Sequence, residues 1–168
     1  MLRRADPDTR ELWLNTLPAD RAEMLRRKLR FPKGTAGYLA DPLVLSLPQD
    51  MLVADAEKHL HRSADRAYYF VYVVDREQRL VGVLDIRELM QAQGKQPLSD
   101  VMHRELVRLP ANTDIHSLLT HPGWRDLDAL PVVDVDGGFC GIVRHRTVRK
   151  FSQNLGVQPE VEPMVSAL

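Results

Sequence analysis

Apolar positions along the chain alternate between two patterns. Short runs such as FVYVV (70–74) and ALPVV (129–133) are continuously apolar and rich in β-branched residues, which predicts strands buried on both faces. A polar turn follows each, DREQ from Asp75 and DVDGG from Asp134, with glycine expected to supply positive φ. A second run comes next, LVGVL or FCGIV, so each pair reads as a hairpin. Elsewhere the apolar residues recur at helical spacing: Val53, Ala56 and Leu60 before the first hairpin, and Ile115, Leu118 and Leu119 before the second. Ile86, Leu89 and Met90 do so after the first hairpin, and Val148 and Phe151 after the second.

The two hairpins are copies of one pattern. Aligning YVVDREQRLVGVLDIRELM (72–90) with PVVDVDGGFCGIVRHRTVRKF (131–151) places Asp75 on Asp134 and Gly82 on Gly141, both 59 residues apart. A fixed spacing implies one structural unit used twice. Each unit reads strand–helix–strand–strand–helix, over residues 35–94 and 95–152, with Gly94 and Pro97 punctuating the join and a tail over 153–168. The fold class is α/β (α+β). Residues 1–34 form a helical segment of another kind, with helices over Asp6–Leu17 and Pro18–Arg30. Their apolar positions are Leu12, Trp13, Leu17, Met24, Leu25 and Leu29, with Asp8 or Thr9 as first cap and Pro18 just inside the second helix. Two such helices build no core alone, so they pack on the repeats or on a second chain.

Composition narrows the classes of function. The 168 residues carry 23 basic and 23 acidic side chains, a balance that argues against bulk nucleic-acid or membrane binding. It leaves little charge repulsion against self-association, and a homodimer is expected. The single cysteine, Cys140, permits no intrachain disulfide and reads as a buried structural thiol. No apolar run is long enough for direct membrane insertion and MLRRADPDTRELW lacks the apolar core of a signal peptide, so a soluble, cytoplasmic chain is expected. Neither a serine elbow, a phosphate-binding Walker loop nor paired glycosidase-type carboxylates occur, and the chain is not read as an enzyme. His59 and His61 point to different helix faces and have no nearby cysteine or histidine to complete a metal set. Trp13 and Trp124 read as packing anchors.

The repeat resembles the tandem CBS domain. The resemblance rests on VYVVDREQRLVGVLDIRELM and LDALPVVDVDGGFCGIV, with openings TAGYLADPLVLSLPQDMLV and PLSDVMHRELVRLPANTDI, and covers about residues 35–152. More narrowly, TAGYL (Thr35–Leu39), YYFVYVVD (Tyr68–Asp75) and LVGVLDIRELMQAQGKQPLSDVM (Leu80–Met102) are similar to the cytosolic CBS region of MgtE-type magnesium transporters. LPADRAEMLRRKLRFPKGTAG (Leu17–Gly37) is similar to the end of that family's helical N domain. The resemblance implies a non-catalytic regulatory module without a transport pore. The same resemblance implies binding of an adenosine nucleotide (AMP or ATP) or Mg²⁺ and a link to magnesium homeostasis through a membrane transporter or another protein partner. The alternative is a ligand-free structural adaptor that dimerises and grips a partner through the same fold and the N-terminal helices.

Site residues follow from the strand-to-helix corners. Many CBS units carry Gly-h-h-Thr/Ser-x-x-Asp (h apolar), whose carboxylate accepts from the ribose hydroxyls and whose hydroxyl lies near phosphate at a helix start. The first copy reads Gly82-Val-Leu-Asp85-Ile-Arg-Glu88, keeping a carboxylate at Glu88 but placing Asp85 where phosphate approaches. Asp85 and Glu88 also have the spacing of a helix capping box. The second copy reads Gly141-Ile-Val-Arg144-His-Arg-Thr147: the ribose reader becomes Thr147, and Arg144 or Arg146 is suited to a phosphate. The other reading of this basic stretch is a solvated face. For Mg²⁺ the densest carboxylates are Asp126, Asp128, Asp134 and Asp136, of which the last two serve the hairpin turn first.

Overall fold

The computed structural model describes residues 5–63 and 69–156; Tyr68 and the greater part of the 153–168 tail lie outside them. Two helices open the chain, α1 (Pro7–Leu14) and α2 (Ala19–Leu29), followed by one turn of helix, α3 (Ala36–Leu39). The first repeat comprises β1 (Ser46–Pro48), α4 (Val53–Arg62), β2 (Phe70–Val74), β3 (Leu80–Asp85) and α5 (Ile86–Gln91). A second single turn, α6 (Leu98–Val101), leads into β4 (Leu109–Pro110), α7 (Ile115–Leu119), β5 (Ala129–Val133), β6 (Phe139–Arg144) and α8 (His145–Leu155). A 3₁₀ turn, Pro122–Arg125, precedes β5. The expected order of strands and helices is therefore present twice.

Each repeat holds one three-stranded sheet, β1-β2-β3 or β4-β5-β6, with the first pair parallel and the second antiparallel. Both hairpins carry a register shift at the same place, between Val73 and Val74 and between Val132 and Val133. Their turns are built alike. The Asp75 carboxylate accepts from the Glu77 and Arg79 amides, and the Asp134 carboxylate accepts from the Asp136 and Gly138 amides. The positive-φ residue of the second turn is Gly137, as its sequence requires. In the first turn the same place falls on Gln78, at φ 62°, a conformation that the expected glycine would have taken more easily.

The repeats exchange their leading helices. Ala36, Leu39 and Ala40 of the first lead belong to the core of the second sheet, with Leu109, Leu130, Val132, Val143 and Val148. Leu98 and Met102 of the second lead belong to the core of the first sheet, with Val53, Val71, Leu84 and Leu89. Backbone bonds match: Ala36 and Gly37 donate to Thr113 and Ala111, while Leu98 and Ser99 donate to Met51 and Gln49. A third cluster, Val44, Tyr72, Leu80, Val133 and Ile142, fills the space between the repeats. The hairpin turns also pair end to end, Leu80 donating to Gly137 and Phe139 to Gln78. These shared cores tie the two units together.

Several local expectations change. The first helix is capped by Asp6, whose carboxylate accepts from the Thr9 amide, rather than by Asp8 or Thr9, and Pro18 is the cap of α2 rather than its first residue. Leu14, absent from the expected apolar set, is fully buried, whereas Leu12 is 68% exposed and Trp13 42%. On α5 only Leu89 is fully buried, and Met90 projects into solvent. In α1 this is a one-position error in helical phase, because neighbouring residues on a helix lie 100° apart. In α5 Leu89 and the half-buried Ile86 face the core as expected, and Met90 lies past the edge of that face.

Candidate ligand cleft between the repeats

A cleft of about 630 Å³ lies between the two repeats, within the range usual for small-molecule sites. The first repeat contributes Tyr69, Phe70 and Tyr72 from the start of β2, and Asp85 and Arg87 from the β3–α5 corner. The second contributes Asp126, Asp128 and Ala129 leading into β5, Arg144 from the end of β6, and His145, Arg146 and Arg149 from α8. Both strand-to-helix corners thus face one space, because the two sheets pack through the cluster around Tyr72 and Ile142.

Charge in the cleft is uneven. Four guanidinium groups line it, against the carboxylates of Asp85, Asp126 and Asp128. Arg87 lies 3.5 Å from Asp85, and Arg144 Nη1 donates to Asp41 Oδ2 at 3.0 Å. Among the described residues Arg146 and Arg149, three apart on α8, pair with no carboxylate. The α8 N-terminus has no acidic residue in its first turn and no side-chain cap, so its backbone dipole adds to the positive field. The His145 amide donates to the Asp128 carbonyl, and the His145 ring stacks on Trp124 with centroids 4.8 Å apart. Trp124 is the packing anchor expected of it, its indole N–H donating to the Leu118 carbonyl. Tyr72 is nearly buried, and burial pushes its phenol up to about 12 despite the opposing charge of Arg144.

The expected site residues separate into two groups. Asp85, Arg144 and Arg146 all line the cleft, and so do Asp126 and Asp128. Glu88 and Thr147 do not line it. Glu88 completes the capping box with Asp85 and meets His103 Nε2 at 2.8 Å. Asp134 and Asp136 stay on the hairpin turn, where Asp134 binds backbone amides. The four carboxylates considered for Mg²⁺ are thus split, and among the described residues no three His, Cys, Asp or Glu side chains come together as a metal-holding group. Cys140 is half-buried, and burial raises its thiol to about 11.

Tyr69, Phe70, Arg87 and Arg149 were not among the expected site residues. Phe70 and Tyr69 read as strand and flank, and only the proximity of the two corners makes them part of one cleft.

A family model described as the CBS domain matches residues 39–95 and 98–154. The chain belongs to the CBS domain family. Its CBS pair is similar to the magnesium transporter MgtE of Thermus thermophilus, at 33% identity over 128 residues, 75% of this chain and 28% of that protein. The pair therefore spans under a third of that relative's length. Among solved structures it is similar to the cytosolic domain of the Mg²⁺ channel MgtE in complex with ATP, with TM-score 0.72 and 29% identity over 88% of this chain and 60% of the other. A second is the soluble part of a magnesium transporter, with TM-score 0.74 and 25% identity over 93% and 62%. No helix among the described residues is long and apolar enough to cross a membrane.

Proposed function

We propose that this CBS pair is a non-catalytic regulatory module that binds an adenosine nucleotide in the cleft between its repeats. The observation that carries this reading is the pair Arg146 and Arg149, facing the cleft without a carboxylate partner among the described residues. Two guanidinium groups at a helix start suit a phosphate chain. The open faces of Tyr69 and Phe70 suit a purine ring, and the carboxylates of Asp85 and Asp128 are acceptors for ribose hydroxyls. The similar MgtE cytosolic domain holds ATP, which supports this ligand class. Among the described residues the scattered carboxylates offer Mg²⁺ no preformed set, so the nucleotide comes first in this reading.

Similarity to MgtE over three quarters of the chain supports a cytoplasmic role in magnesium transport or homeostasis, exercised as a homodimer on a transporter or another partner. Binding would act by favouring one packing of the two repeats over another. The exposed Leu12 and Trp13 favour a second reading, an adaptor that grips a protein through α1 without a ligand.

Calorimetric titration with ATP, AMP and adenosine separates these. ATP should bind, and Arg146→Ala and Arg149→Ala should each weaken it about 10-fold while leaving adenosine unchanged, the scale of one charge-assisted contact. No heat with any of the three would remove the nucleotide reading and leave the adaptor.

A further inference from the structure

Asp41 and Arg144 lie 103 residues apart in sequence and meet at 3.0 Å. Asp41 is held from several sides. Its Oδ1 accepts from the Leu43 amide at 2.9 Å, and its backbone pairs both ways with Ile142, donating at 2.7 Å and accepting at 3.0 Å. It sits just beyond α3, on the segment that joins α2 to the first strand. Arg144 ends β6 at the cap position of α8 and lines the cleft. The ion pair therefore joins the segment entering the first repeat to the ligand-facing corner of the second.

The other repeat lacks this arrangement. Val83 and His103 pair backbone to backbone as Ile142 and Asp41 do, which makes His103 the counterpart of Asp41. The counterpart of Arg144 is Asp85, which caps its own helix, while His103 turns to Glu88 instead. Among the described residues, the second corner carries a permanent cation held by a carboxylate 103 residues away, whereas the cation of the first corner, Arg87, lies beside Asp85 of that same corner.

We propose that the Asp41–Arg144 pair is a latch opened by the phosphate of a ligand entering the cleft. The inference rests on the reading of the cleft as a nucleotide site. A phosphate offers a guanidinium two parallel bonds where Asp41 accepts one, so it competes well for Arg144. Asp41 is already a third exposed, so once released it turns to water, letting go of the Leu43 amide, and is not stranded as a buried charge. Occupancy of the cleft is thereby passed to residues 40–45 and to α2 behind them. A nucleoside without phosphate leaves the latch shut, so the module responds to the ligand's charge rather than to its base alone.

A double-mutant cycle read by calorimetry tests this, using Asp41→Asn, Arg144→Gln and the two combined. Asp41→Asn should tighten ATP about 5-fold, the scale of a partly exposed ion pair, and leave adenosine unchanged. The gain should vanish in the Arg144→Gln background. An equal gain in both backgrounds would make Asp41 a bare repulsive charge, and a loss would make it a positioning group for Arg144; either overturns the latch. Hydrogen exchange gives a second readout: ATP should speed exchange of the Leu43 amide, and unchanged or slower exchange counts against the proposal. If neither the natural protein nor Asp41→Asn binds ATP, the nucleotide reading itself falls and takes the latch with it. ATP binding with no coupling between the two positions removes the latch alone.

Discussion

Gly141 lies directly against the backbone of Asp41, so close that a Cβ at this position would run into the Asp41 carbonyl and lie 2.9 Å from the Pro42 α-carbon. Its φ is +123°, a conformation that side chains rarely adopt. The repeat-related Gly82 is also crowded, but chiefly by the flexible side chain of Met102. One glycine thus faces rigid backbone and the other faces movable atoms.

Gly141→Ala should consequently cost about 3 kcal/mol or more, combining overpacking with backbone strain. Gly82→Ala should cost less, because Met102 can change rotamer. Chemical denaturation of both variants checks the order, and equal losses would mean that the Asp41 segment yields as easily as a side chain.

Stability should fall as pH rises between about 10 and 12. Tyr72 is raised from its ordinary 10 to about 12 by burial, outweighing the nearby charge of Arg144. Within that window the unfolded chain loses the proton while the folded one keeps it, so folding weakens by up to about 3 kcal/mol. Cys140, raised from 9 to about 11 by burial, acts in the same direction from about pH 9. Tyr72→Phe should flatten the upper part of the alkaline limb in urea titrations and leave the lower part in place.

At the acid end Asp75 is a sensitive group, beside Asp6 and Asp114, whose helix-capping bonds also hold their carboxyls down. Burial alone would raise the Asp75 pKa, but hydrogen bonds from the Arg79 backbone and side chain and from Glu77 outweigh it and hold the carboxyl below its ordinary 3.8. A depressed carboxylate stabilises the fold above its unfolded pKa, and that contribution is lost as pH falls through the folded value, here below about 4. Asp75→Asn should shallow the acid limb; an unchanged acid limb would place the sensitivity elsewhere.

The N-terminal helices offer a direct contrast. Leu14→Ala should cost about 2–5 kcal/mol, since this side chain is fully buried. Leu12→Ala should lie within about 0.5 kcal/mol of the natural protein, as its side chain is largely solvated. Thermal unfolding of the two variants distinguishes them.

Much of the architecture was legible from pattern alone. Val53, Ala56 and Leu60 are all buried as their spacing implied, and the two hairpins carry the same bulge 59 residues apart. The capping box of Asp85 and Glu88 also formed as read. Local chemistry determines such features, because a cap or a strand needs only its neighbours. Helical phase was harder to read in the short helix α1, where Leu12, Trp13 and Leu14 are consecutive and any of them could have faced inward.

The candidate site was legible only in part. Asp85, Arg144 and Arg146 came from the corner motif, yet Glu88 and Thr147, read from the same motif, lie off the cleft. Asp126 and Asp128 were grouped with Asp134 and Asp136 by closeness in sequence, while the fold separates the pairs.

By itself the sequence determined a doubled strand–helix–strand–strand–helix unit, its hairpin turns and its basic second corner. Tertiary structure decided that the leading helices cross over, with Ala36 and Leu39 packed in the second core and Leu98 in the first. It also decided that Asp41 meets Arg144 and that both corners share one cleft. Periodicity reports which face of an element is apolar, but not which of two nearly equivalent apolar surfaces receives it. That choice depends on fit across 59 or more residues of chain, where local pattern carries no information.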